Sequence, residues 1–217
     1  MRKSILAACL LSAAAFSAAA QYSDGAHSPR GLRVFLGGGL STGGDTLMRI
    51  QNVAQGARAN DVTPIRAGDG LDLRAGLSMR LGDLPWSVQA VAAYHNDQTN
   101  DKESKYRFRR LPVEATLLWH ATDRTRIGFG VRKALQPKVK VSNGRSTDAS
   151  GNPITGINRS YDMKASTGLI IEGEYAVTPN WSLKGRYVYE TYRYKDFPEE
   201  DKAKGDHVAL QSVWYLN

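Results

Sequence analysis

Residues 166–194, STGLIIEGEYAVTPNWSLKGRYVYETYRY, alternate between apolar and polar at nearly every step, pause at Thr178-Pro179-Asn180, and resume. Successive side chains of a β-strand point to opposite sides. Leu169, Ile171, Tyr175, Leu183, Tyr187 and Tyr189 therefore share one face of a ribbon, and Glu172, Glu174, Lys184, Arg186 and Glu190 share the other. The fold depends on what surrounds each face.

The same period of two predicts eight strands. The first, 32–40, sets Leu32, Val34, Leu36 and Leu40 against Arg33, Phe35, Gly37 and Gly39. The second, 71–81, sets Leu71, Leu73, Leu77 and Met79 against Asp72, Arg74, Ser78 and Arg80. The third starts at Trp86 and reaches His95; the fourth runs from Leu111 to His120 with Glu114 on its polar side. The fifth, from Arg126 to about Val139, sets Ile127, Phe129, Val131 and Leu135 against Gly128, Gly130, Arg132 and Gln136, and Lys133 interrupts its apolar side. The sixth starts near Tyr161, the seventh ends near Lys195, and the eighth is 207–216.

Short and long connections between these strands alternate without exception. Gly82-Asp83-Leu84-Pro85, Thr122-Asp123-Arg124-Thr125 and Thr178-Pro179-Asn180 have tight-turn compositions, whereas 41–70, 96–105, 142–160 and 196–206 are longer and polar. A soluble β-sandwich also has short alternating strands, but it requires no such regularity. A membrane barrel does, because every second turn faces the periplasm and the others face outward.

The chain ends agree. Arg2 and Lys3 precede an apolar run from Ile5 to Phe16 and a small-residue end at Ala18-Ala19-Ala20, the layout of a secretory signal peptide cut before Gln21. The single cysteine, Cys9, lies inside that leader, so the exported chain is expected to have neither disulfides nor thiolate chemistry. Removing the two leader bases from 29 Lys and Arg, against 21 Asp and Glu, leaves a net charge of +6. In an exported protein this favours anionic lipid or polysaccharide as a partner and argues against nucleic acid. The expected organisation is a signal peptide over 1–20, a periplasmic extension over 21–30 and a barrel over 31–217.

With the short turns on the periplasmic side, Trp86, Trp119, Trp181 and Trp214 all fall at one height. Indoles favour the membrane interface, and barrels carry aromatic girdles there. Tyr94, Tyr161, Tyr187 and Tyr189 lie toward the opposite boundary. The apolar faces are thus predicted to meet hydrocarbon, and the polar faces a closed interior.

This pattern resembles the small eight-stranded outer-membrane barrels, the superfamily of the outer membrane protein A transmembrane domain, over essentially the whole exported chain. The segment LPVEATLLWHATDRTRIGFGVRKALQPKV, residues 111–139, also resembles proteobacterial outer-membrane proteins of similar length. The resemblance implies an all-β, eight-stranded antiparallel transmembrane barrel with short periplasmic turns and long extracellular loops, in the outer membrane of a Gram-negative bacterium. It implies outer-membrane lipids and the outer-membrane assembly machinery as partners. Such barrels commonly end on an aromatic residue read by that machinery, whereas this chain ends Trp214-Tyr215-Leu216-Asn217.

An eight-stranded barrel is only wide enough for its own side chains. Its charges must therefore pair, and Arg74, Glu114, Arg132, Glu172, Glu174, Lys184, Arg186 and Glu190 are expected to interlock as a plug. With Arg33, Arg80 and Asp72 also on the inward faces, six bases stand against five acids, which argues against a catalytic carboxylate pair. Gly37-Gly38-Gly39 has no following Lys-Ser/Thr or helix start, so it is not a phosphate cradle. His27, His95, His120 and His207 show no metal spacing, and no cofactor is expected. His95 and His207 are expected at the exposed outer rim, and no serine motif surrounds either.

Lys105, Arg107, Arg109, Arg110, Lys138, Lys140, Arg193 and Lys195 fall at the outward boundary, where lipopolysaccharide phosphates attract clustered cations. The expected function is a monomeric, non-enzymatic barrel with a structural or surface-interaction role. A narrow channel for small solutes or lipophilic compounds is the second reading, and a lipid A-modifying enzyme the third.

Overall fold

The computed structural model describes residues 31–51, 62–100, 105–147, 153–195 and 202–216. The predicted leader and extension, with His27, lie outside these, as does Lys102, a base of the 96–105 link. Thirteen strands follow in chain order among the described residues: β1 (Leu32–Gly43), β2 (Thr46–Gln51), β3 (Val62–Arg66), β4 (Gly70–Arg80), β5 (Trp86–Asn100), β6 (Lys105–His120), β7 (Thr125–Thr147), β8 (Pro153–Ala165), β9 (Thr167–Thr178), β10 (Trp181–Tyr189), β11 (Thr191–Tyr194), β12 (Ala203–Lys204) and β13 (His207–Tyr215).

Eight of these close a cylinder in the order β1-β4-β5-β6-β7-β9-β10-β13 and back to β1, every pairing antiparallel. The predicted eight-stranded barrel is therefore present. β8, β11 and β12 continue the wall beyond the cylinder's outer end, and β2 and β3 form a hairpin within the first long link. The short turns are stitched locally. Thr122 Oγ1 accepts from the Arg124 and Thr125 amides at 3.2 and 2.9 Å, and Thr178 Oγ1 from the Trp181 amide at 3.0 Å.

The cylinder is inside-out relative to a soluble domain. Leu210, Ile171 and Leu169 are 65, 63 and 58% exposed, while Arg132, Lys184 and Glu190 are 2, 1 and 0% exposed. No helix is long and apolar enough to cross a membrane among the described residues, which says nothing of a barrel. An apolar outer band over a polar interior is stable only with hydrocarbon outside.

Register turns this alternation into ion pairs. Glu174 faces Lys184 and Glu172 faces Arg186 across β9 and β10; Glu114 faces Arg132 across β6 and β7; Arg126 faces Glu174 across β7 and β9.

Two one-residue irregularities lie at the outer end of the cylinder. Between the Leu111–Leu135 and Arg109–Lys138 pairs, β7 spends three steps where β6 spends two, and Gln136 takes φ +48°. Gln136 is exposed, a correction to its predicted inward position. Beyond it Val139 and Val141 point inward, while Lys138 and Lys140 point outward. The second lies between β8 and β9 at Ser166. There Ser166 N–H donates to the Thr191 carbonyl (2.8 Å), Thr191 N–H to Ser166 Oγ (2.9 Å), and Lys133 Nζ to the Ala165 carbonyl (2.6 Å). Lys133, which interrupts the apolar face in sequence, is thus the clasp of a strand break.

Gly173 and Gly185 pair with each other and face outward with open space beside them. Gly76 faces inward, where an added Cβ would lie 2.5 Å from Phe35 Cζ; the missing side chain makes room for that ring.

Candidate functional site

The interior is layered from the short turns outward. At the periplasmic end the Arg33 guanidinium lies 4.4 Å over the Tyr215 ring and donates to Asn180 Oδ1 at 2.8 Å. Tyr215 donates its hydroxyl to Glu174 Oε1 at 2.8 Å and accepts from Gln89 Nε2 at 3.0 Å. Arg126 binds the same glutamate. Lys184 Nζ reaches Glu172 Oε1 at 2.7 Å, Gln89 Oε1 at 3.0 Å and Glu174 Oε2 at 3.3 Å.

Glu114 is the centre of the next layer. Its carboxylate meets Arg186 at 2.9 Å, Arg74 at 3.3 Å and Arg132 at 3.5 Å. Arg186 also approaches Glu172 at 3.8 Å, Arg74 grips Asp72 at 3.0–3.1 Å, and Arg132 reaches Glu190 at 3.3 Å. Arg74, Glu114, Arg132, Glu172, Glu174, Lys184, Arg186 and Glu190 are all buried, and these contacts join them into one network. Asp72 and Arg126 belong to it as well.

Above this layer the interior turns apolar. Tyr106, Phe108, Val139, Val141, Met163 and Tyr192 pack with Ile65 and Ala67 from the first long link. Tyr161, predicted in an outer girdle, packs against this cluster and meets Tyr194 edge-on at 6.1 Å. The link that reads as a polar loop therefore contributes a hairpin whose stem covers the mouth. Asp45 N–H donates to the Lys204 carbonyl (2.7 Å) and Lys204 N–H to Asp45 Oδ2 (2.8 Å), fastening the stem to the opposite wall.

Arg110 corrects a sequence expectation. It does not face the outer leaflet: it is wholly buried, 3.8 Å from Glu190, and donates to the Ala67 carbonyl under the stem. Alternation explains this, since β6 turns Tyr106, Phe108 and Arg110 inward and Lys105, Arg107 and Arg109 outward.

His95 and His207 are also buried rather than exposed at a rim. Tertiary structure brings Ser41, absent from any local motif, to 3.2 Å from His95 Nε2, with Asp72 3.7 Å from Nδ1. The trio has the membership of a hydrolytic triad but the opposite hydrogen-bond polarity. His95 Nε2 donates to the Asp69 carbonyl at 3.0 Å, Nδ1 accepts from Arg110 at 3.2 Å, and Ser41 gives its proton to the Gly68 carbonyl at 2.7 Å. A triad needs Nε2 free to accept from serine and Nδ1–H held by the carboxylate. Here the carboxylate is taken by Arg74, and Ser41 and His95 clamp the stem.

On the outer surface the strands beyond the cylinder form a basic wall. Across it run Arg109, Lys138 and Asp162 in one row and Arg107, Lys140 and Ser160 in the next, with Lys105 above. Asp162 pairs with Lys138 at 3.1 Å and Lys195 at 3.8 Å, and the Lys138 hydrogen bond holds its carboxyl below the usual aspartate range. Arg193 stands opposite Lys164 on the adjacent strand pair. Lys164, Arg193, Lys195 and Lys202 line a surface cleft of about 320 Å³. At the other end of the barrel the four tryptophans form two cross-strand pairs, Trp86 with Trp119 and Trp181 with Trp214.

The family described as outer membrane protein beta-barrel domain matches residues 6–214. Among solved structures, the chain is similar to Ail, the attachment invasion locus protein of Yersinia pestis, at 14% identity and a TM-score of 0.48, covering 86% of this chain and 99% of that one. It is similar to Neisserial surface protein A at 11% identity and a TM-score of 0.49, covering 84% and 96%. No curated protein matches it in sequence. With residues 6–214 matched, the chain belongs to the outer membrane protein beta-barrel domain family and is an integral β-barrel of the Gram-negative outer membrane.

Proposed function

We propose that this barrel is a monomeric, closed, non-enzymatic scaffold whose work is done by its projecting basic wall, which binds the phosphates of outer-leaflet lipopolysaccharide. The observation that carries the closed interior is Glu114, whose one carboxylate meets three guanidinium groups from three strands. An ion needs a path of water, and charged side chains that neutralise one another across the lumen leave little incentive for one. The apolar cluster and hairpin stem above that network support the same reading. The reversed polarity at Ser41 and His95 argues against hydrolysis.

Support for the wall comes from position and charge. Arg109 and Lys138 lie immediately outward of the Leu111–Leu135 pair, where headgroups succeed acyl chains. Guanidinium and ammonium groups bind phosphate oxygens through charge-assisted hydrogen bonds. Each cation near an anionic surface contributes about 1 kcal/mol.

Two measurements test the reading. Protein reconstituted in a planar bilayer is expected to show no discrete conductance steps; steady channel currents would establish the narrow-channel alternative. Replacing Lys105, Arg107, Arg109, Lys138 and Lys140 together by Gln is expected to cut lipopolysaccharide co-purification at low salt several-fold. Unchanged retention would remove the wall from the proposal.

A further inference from the structure

The outer mouth holds two buried imidazoles that the scaffold reading leaves without a task. His95 and His207 have ring centres 5.5 Å apart, directly beneath the stem of the β2–β3 hairpin. The stem is closed on itself by Ala67 N–H to the Asp45 carbonyl (2.9 Å) and Gly68 N–H to the Gly43 carbonyl (3.2 Å). It presses on the histidines closely enough that a Cβ on Gly68 would lie 2.6 Å from His207 Cβ. From below, His95 Nε2 holds the Asp69 carbonyl and Arg110 holds the Ala67 carbonyl.

Hydrogen-bond polarity sets the protonation of His95 at this latch. Arg110 Nη2 lies 3.2 Å from His95 Nδ1 and 3.3 Å from Nε2, but the Asp69 carbonyl 3.0 Å from Nε2 can only accept, so Nδ1 is the nitrogen that offers Arg110 a lone pair. The ring proton is then on Nε2, toward Asp69, and the imidazole is neutral. His207 Nδ1 donates to the Gly205 carbonyl at 2.7 Å.

The acidic neighbours are already shared with guanidinium groups or backbone amides. β4 contributes Asp72, 3.7 Å from His95 Nδ1 but gripped by Arg74 at 3.0–3.1 Å, and β1 contributes the Ser41 hydroxyl. β6 contributes Arg110, β7 Arg132 and β10 Arg186, whose positive charges all act on His207. Glu190, between β10 and β11, is shared by Arg132 at 3.3 Å and Arg110 at 3.8 Å, and Tyr192 flanks Arg110. Asp69 spends its carboxylate on the Gly43 amide at 2.8 Å.

We propose that the hairpin stem is an acid-released lid: protonation of His95 and His207 expels Arg110 from the Ala67 carbonyl and unseats residues 43–47 and 65–69 from the mouth. The proton fills the His95 Nδ1 lone pair, so the Arg110 hydrogen bond becomes a contact between two cations, unscreened by water in the buried mouth. A charge on His207 repels Arg110 from the other side. Arg110 moves away, the Ala67 carbonyl loses its donor, and the aromatic cluster of Tyr106, Phe108 and Tyr192 loses the cover of Ile65 and Ala67. The wall keeps its charges over the same range, because Lys138 keeps Asp162 ionised. Lid release is therefore separable from any change in lipopolysaccharide binding.

The test is hydrogen exchange of the Ala67 and Gly68 amides in the folded full-length barrel in phospholipid nanodiscs, corrected for the intrinsic pH dependence. Between about pH 7.5 and about pH 5, where an imidazole freed to water by an opened stem takes up its proton, protection is expected to fall at least tenfold, with Leu118 in the wall unchanged. In the H95Q/H207Q variant protection should be flat with pH. Constant protection in the unaltered protein, or an undiminished fall in the double variant, overturns the proposal. If the double variant does not fold, the H95Q and H207Q single variants decide the matter: each should lessen the fall in protection between about pH 7.5 and about pH 5, and a fall in both as large as that of the unaltered protein refutes the latch.

Discussion

Leu111 and Leu135 face each other across β6 and β7 as the last apolar pair on the outer surface, and the next pair outward, Arg109 with Lys138, is cationic. The apolar outer face of these two strands ends between them. Below that edge apolar residues must point out, and above it they must point in. β6 makes the change in sequence: its apolar positions are odd from Leu111 to Trp119 and even at Tyr106 and Phe108. β7 makes it in the backbone. Its apolar positions stay odd from Ile127 to Val141, and the extra residue at Gln136 rotates the outer half by one step.

Gln136 is therefore expected to tolerate Gly and to resist β-branched residues. Its φ of +48° lies in the left-handed region. A β-branched side chain there costs roughly 1–2 kcal/mol, whereas Gly has no such penalty. Urea unfolding in micelles should show Q136V destabilised by that amount and Q136G close to the unaltered protein. Equal effects would mean that the bulge does not set the inversion.

Glu114→Ala should be among the most damaging single changes in the lumen. It leaves Arg74, Arg132 and Arg186 facing one another without their shared carboxylate. Loss of one member of a buried ion set costs about 3–5 kcal/mol. The heat-induced mobility shift on gels should move to lower temperature, and E114A/R186M should recover part of the loss because it removes one of the repelling cations.

Trp181 donates its indole N–H to Ser212 Oγ at 2.6 Å at the interface end of the barrel. Removing the acceptor with S212A should cost about 1–2 kcal/mol, by leaving a donor unmet where water is scarce. The same change in a W181F background should cost little. Additive losses in that double-mutant cycle would show that the bond contributes nothing.

Leu210→Arg reports directly on what lies outside the cylinder. Leu210 is 65% exposed and stands between Leu40 and Gly185 on neighbouring strands. In water an arginine there would be harmless; against hydrocarbon it costs roughly 2–4 kcal/mol near the midplane. Arg107→Leu, on the wall, should stay within about 0.5 kcal/mol.

Much of the barrel was legible because a period-two code is local. Glu172, Glu174, Lys184 and Arg186 announce their inward face through their own neighbours, and the short turns announce which strands are hairpins. The apolar parity of β6 also switches at Arg110, so Arg110 could have been assigned to the interior by continuing the count from Glu114. Gln136 gave no such signal, because a bulge is a property of two strands in register and β7 alone keeps its alternation. Ser41 was equally silent: 54 positions separate it from His95.

By itself the amino-acid order determined the strands, their two faces and the solvent each face requires, since burial preference is written residue by residue. Only the closed tertiary structure decided which bases share Glu114, that β2 and β3 fold back over the mouth, and that His95 meets Ser41, Arg110 and His207. These are contacts between strands far apart along the chain, and the distances among them are set by how the cylinder closes.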